Sequence, residues 1–142
     1  MQAATHPLSV PTQTVSSSKG RIWSGRIMIG IVVLFLLFDG VLHLSNLPMV
    51  KEGALQFGYP PDIMVPLGII QLLCLLLYII PRTSILGAIL LTGYLGGAIA
   101  THVRVGNPLF SHTLFPVYLG ILIWGGLYLL DGRLRALIPV RR

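Results

Sequence analysis

The chain has 142 residues, enough for one domain, of which 54% are hydrophobic and 10% charged, with only four acidic side chains. A water-soluble domain needs a charged surface that this composition does not supply. The net charge of +6 does not signal nucleic acid, because the cations bracket apolar runs instead of sharing one face.

Residues 1–20 are rich in Ser, Thr, Gln and Pro, lack periodicity and are expected to form a disordered cytoplasmic tail, His6 included. They do not read as a signal peptide, since the apolar run starts late, is too long and has no cleavage site after it. Residues 21–142 read as one all-α domain, an integral membrane four-helix bundle. Its first helix is expected over 27–47, after Lys19, Arg21 and Arg26, and Pro48 ends it. Gly58, Tyr59, Pro60 and Pro61 precede a second helix over 62–80, which Pro81 stops. Arg82 leads into a third over 85–103, closed by Gly106, Asn107 and Pro108, and the fourth covers 113–130. Each run has about the 20 residues that cross a bilayer core.

Lys and Arg set the expected orientation. With the N-terminus inside, eight lie inside, among them Arg133, Arg135, Arg141 and Arg142, and two, Lys51 and Arg104, outside. That asymmetry predicts an N-in/C-in topology. Trp23, Tyr78, Trp124 and Tyr128 then mark the inner interface, with Tyr59, Phe110 and Phe115 near the outer one. Cys74 is the lone cysteine, so the chain has no disulfide or CxxC pair of its own, and it reads as a packing residue. Gly87, Gly93, Gly96 and Gly97 mark the third helix as thin. The Gly93/Gly97 spacing is expected to pack within the monomer, with a homo-oligomer seam as the alternative.

Ionisable residues within these runs carry the functional argument. Asp at a helix centre costs about 2.5–3.5 kcal/mol on insertion scales, so Asp39 should be compensated. His43 at i+4 shares its face, and Asn46 extends the stripe outward. Thr101, His102 and Arg104 end the third helix, and His112 precedes the fourth, so the polar groups converge in the outer half. Gln71, near the centre of the second helix, either extends that cluster or bonds across helices.

Three readings of the cluster are open. Asp39 bonded to His43, or paired with Arg104, would clasp the first and third helices. A pocket for an amphipathic molecule such as a quinone head group would use His43 or His102 against a carbonyl oxygen, with Asp39 setting the proton balance. A metal or haem site would need histidines from two helices, but zinc-type spacing and CxxCH are missing, so no metal ligand is assigned. The sequence also has no Gly-rich phosphate loop and no nucleophile elbow, and Ser111-His112 has no orienting carboxylate.

The run Gly58-Tyr59-Pro60, Leu67-Gly68, Gly93-Tyr94-Leu95-Gly96-Gly97-Ala98-Ile99-Ala100-Thr101-His102-Val103-Arg104 and Gly106-Asn107-Pro108-Leu109-Phe110 resembles the DoxX-like family across residues 27–138. The third-helix motif is the specific part. The resemblance implies a four-helix protein of the bacterial inner membrane, in a wider family named for a small subunit linked with quinone-reducing thiosulfate oxidation. The family pattern often has Glu where Gln71 stands, so this chain lacks one ionisable group of such a pocket.

The expected function is therefore a small multi-pass subunit of a membrane redox system, binding quinone and working with a redox partner protein. The expected ligand-binding residues are Asp39, His43, Gln71, Tyr94, Thr101, His102 and Arg104, with catalytic residues unassigned. A non-catalytic scaffold and a small transport or lipid-handling protein are the alternatives.

Overall fold

A computed structural model describes residues 19–138 of the chain. The described residues are helical throughout, joined by short turns, with no strand among them. Four of these helical stretches are long and apolar enough to cross a membrane: Lys19–Leu44, Pro61–Ile79, Ser84–Arg104 and Leu109–Leu130.

Helix α1 (Lys19–Leu44) starts earlier than the apolar run that announces it. Its 26 residues span about 39 Å at 1.5 Å per residue, more than the ~30 Å hydrocarbon core. The extra turns carry Lys19, Arg21 and the exposed Trp23, whose apolar stems and ring suit the head-group region. Most of the expected tail, residues 1–18, lies outside the described residues, and Lys19 and Gly20 are already helical. The helix ends at Leu44, not 47, because Asn46 adopts a left-handed φ of 54° and Pro48 opens a new helix at its first turn.

That new helix, α2 (Pro48–Gln56), lies where a loop was expected. Its Ala54 is fully buried, so it packs onto the bundle end, and Gly58 at φ 72° then reverses the chain. A 3-10 turn (Pro61–Ile63) leads into α3 (Met64–Ile79), whose Pro66 sits in the first turn, where a missing N–H costs nothing. Pro81 stops α3, and Thr83 Oγ1 donates to the Leu77 carbonyl at 2.8 Å. Helix α4 (Ser84–Arg104) follows, then a π-helical turn (Leu109–Thr113), α5 (Phe115–Leu130) and the short α6 (Gly132–Leu137). Arg135 Nη1 donates to the carbonyls of Tyr128 and Leu129 at 3.1 and 2.7 Å, holding α6 against the end of α5.

The four long helices form a closed ring: α1 packs on α3 and α5, and α4 closes it by packing on the same two. Helices α1 and α4 therefore face each other across the diagonal. Val32, Leu36, Leu75, Leu91 and Ile123 fill the middle, Cys74 among them, and three polar side chains tie helices together. Gln71 Nε2 donates to Leu36 O (2.9 Å), Tyr78 Oη to Ile123 O (3.1 Å) and Trp124 Nε1 to Thr92 Oγ1 (2.9 Å). Large apolar side chains such as Leu34, Phe38 and Ile121 are more than 60% exposed on the outside, which suits lipid and not water.

Close backbone approach occurs at other glycines than the expected pair. A Cβ on Gly87 would lie 2.2 Å from Tyr78 N, so the α3–α4 hairpin is in backbone contact there. A Cβ on Gly68 would lie 3.0 Å from the Gly40 carbonyl oxygen, at the α1–α3 crossing. Around Gly93, Gly96 and Gly97 no atom comes within 4 Å of such a Cβ, so the packing expected of Gly93 and Gly97 inside the monomer is not made. The GxxxG spacing reports a thin helix face, not what lies against it.

Candidate functional site

At the α2 end of the ring the diagonal opens into a cavity of about 520 Å³, lined by all four spanning helices and by Phe57 and Tyr59. Helix α1 contributes Phe35, Leu36, Asp39 and His43, one face at i and i+4 spacing. Opposite, α4 contributes Gly93, Tyr94, Gly97, Ala98, Thr101 and His102, another single face. The bare faces of Gly93 and Gly97 account for some of the open volume. Leu67 and Ile70 of α3 and Phe115, Pro116 and Leu119 of α5 supply apolar side walls. Phe35 and Phe115 meet edge to face, centroids 5.1 Å apart, joining α1 to α5 beside the cavity.

Five of the seven expected ligand-binding residues, Asp39, His43, Tyr94, Thr101 and His102, line this one cavity. The other two do not. Gln71 is fully buried below it, with Nε2 on the Leu36 carbonyl and Oε1 buried and unbonded. Arg104 turns outward, donates to the Phe57 carbonyl and stacks over the Tyr59 ring at 4.8 Å, so it does not pair with Asp39.

Arg104 thereby clamps the segment after α2 onto the end of α4. Thr101 Oγ1 donates to Gly97 O at 3.0 Å, so its one proton is engaged and Tyr59 Oη is the donor in their 2.8 Å bond. Gly58 suits the turn through its φ of 72°, which a side chain would strain, while a Cβ there would meet Arg104 Nη2 only at ordinary contact distance, 3.7 Å. Phe57 is brought edge-on to the His102 ring, centroids 5.2 Å apart, and His112 flanks the same ring at 6.0 Å. Phe57 and Phe35 escape sequence reading, because aromatic residues near a bilayer are common and only the folded chain shows which ones turn inward.

The two cavity histidines have different bonding. Asn107 Nδ2 donates to His102 Nδ1 at 2.8 Å, which makes Nδ1 an acceptor and leaves the ring proton on Nε2. His43 Nδ1 lies 3.4 Å from Asp39 Oδ2, in ion-pair range, yet it is buried and makes no hydrogen bond. A carboxylate there favours the proton on Nδ1 and leaves Nε2 as an acceptor. The contact is within α1, so it does not clasp two helices. The site thus offers a donor on one wall, an acceptor on the other and an Asp39 whose side chain is 34% exposed. Among the described residues no group of three or more His, Cys, Asp and Glu converges as a metal site would require.

The fold and site define a small helical membrane protein with an amphipathic cavity at one end of its bundle. The model of the DoxX-like family matches residues 27–126, most of the chain, and the protein belongs to that family. No curated protein and no solved structure matches it significantly.

Proposed function

We propose that this protein is a small subunit of a membrane redox system that binds a quinone head group in the α1–α4 cavity. The observation that carries the reading is the pairing of His102 and His43 on opposite walls of an otherwise apolar space. A flat ring carrying two oxygens suits that arrangement: His102 Nε2 donates to a carbonyl, and His43 Nε2 accepts from a hydroxyl when the ring is reduced. Asp39, 3.4 Å from His43 Nδ1, sets which ring nitrogen of His43 is left to accept. The volume, about 520 Å³, falls within the usual range of small-molecule sites, about 300–1,000 Å³.

Electrons pass to or from a partner protein, since the chain carries no motif for a redox centre of its own. The eight-to-two distribution of Lys and Arg supports an N-in/C-in topology in the bacterial inner membrane, with the cavity toward the outer leaflet.

The test is ligand-dependent stabilisation of the purified protein. A short-tailed quinone at about 100 times its Kd should stabilise the wild type by about 2.7 kcal/mol. Asp39→Asn and His102→Ala should each weaken that effect while the proteins remain folded. Equal stabilisation of all three would reject the assignment.

A further inference from the structure

The opposite, basic end of the bundle holds a second cavity, of about 620 Å³, that the quinone reading leaves unused. Its wall is apolar along Ile29, Val33, Ile79 and Leu127, and two exposed cations, Arg26 and Arg133, complete the lining. The only acid there is Asp131. Its Oδ1 is committed to the first turn of α6, accepting the Arg133 N–H at 2.8 Å, with Arg133 Nε 3.8 Å away. Ion pairs among the described residues, His43 with Asp39 and Arg133 with Asp131, leave Arg26 without a counter-charge. One turn along α1 from Arg26, Gly30 also lines the cavity, and no atom lies within 4 Å of where its Cβ would be.

We propose that this cavity seats one anionic phospholipid from the leaflet at the basic end. Its phosphate lies with Arg26 and Arg133, and one acyl chain runs over Gly30 along Val33 and Ile79. Charge complementarity selects this occupant. A free phosphate satisfies the guanidinium groups but leaves the apolar wall uncovered. A zwitterionic lipid covers the wall but brings its own cation to a site already in positive excess. An anionic lipid meets both demands, and the proposal stands apart from whatever fills the α1–α4 cavity.

Native mass spectrometry of the full chain in detergent, titrated with phosphatidylglycerol or phosphatidylcholine of equal chain length, tests it. The wild type should retain phosphatidylglycerol about tenfold better, the scale of one charge-assisted hydrogen bond. Arg26→Gln should bring that ratio close to one. Gly30→Leu, which fills the acyl path without changing charge, should lower retention of both lipids. A wild-type ratio near one, an unchanged ratio in Arg26→Gln, or full retention by Gly30→Leu would overturn the proposal. Displacement of the lipid by millimolar inorganic phosphate would assign the site to a free anion, and would overturn it too.

Discussion

Gln71 shows how much depends on the surroundings of a single side chain. Its amide nitrogen bridges to the Leu36 carbonyl at 2.9 Å, while its oxygen is buried without a donor. A hydrogen bond between membrane helices contributes about 0.6 kcal/mol on average and up to about 1.7, and the orphaned oxygen offsets part of that. Gln71→Leu should therefore change stability by less than about 1.5 kcal/mol in thermal unfolding. Gln71→Glu should cost more, because this fully buried position must either hold a carboxylate against the Leu36 carbonyl or keep the acid protonated to retain the bond. If the Leu variant proved the worse of the two, the bridge would be stronger than its geometry indicates. Asp39 and His43 were readable from sequence because an ionisable group in an apolar run is expensive enough to demand a reason. Arg104 lies off the cavity that it was expected to line, while Gln71 makes the cross-helix bond that was one of its two expected roles. Both are polar, but which way each turns depends on backbone carbonyls that only the folded chain brings close.

The helices themselves follow from hydropathy, and breakers such as Pro81 mark where they stop. Helix α2 does not follow, because its mixed sequence of Pro48–Gln56 lacks an apolar run and is stabilised by docking on the bundle end. Glycine positions on α4 are equally opaque from spacing alone. Gly87→Ala would put a methyl group 2.2 Å from the backbone nitrogen of Tyr78, and backbone cannot yield without parting α3 from α4. That change should cost at least about 1–3 kcal/mol, the range for overpacking. Gly93→Ala enters open space and should be neutral or stabilising by about 0.5–1 kcal/mol, through helix propensity. Thermal unfolding in one detergent would compare the two. Equal losses would mean that α4 is tightly packed along both stretches.

For the molecule as a whole, the two ends of the bundle have different chemistry. One carries the α1–α4 cavity, with its histidines and the clamp of Arg104 on the Phe57–Tyr59 segment. The other carries Arg26, Arg82 and Arg133, with the basic helix α6. Reporter fusions should place both termini in the cytoplasm and the segments around Lys51 and Asn107 outside. A periplasmic C-terminus would conflict with four crossings and a cytoplasmic N-terminus. The account depends most on the cavity between α1 and α4, and photolabelling tests it directly. A short-tailed azidoquinone, irradiated with the protein in nanodiscs and mapped by mass spectrometry, should mark the cavity residues Phe35, Asp39, His43, Tyr94, Ala98 and His102, with unlabelled quinone suppressing the adducts. Adducts confined to the lipid-facing Leu34, Phe38 and Val41, unaffected by competitor, would contradict a quinone site inside the bundle.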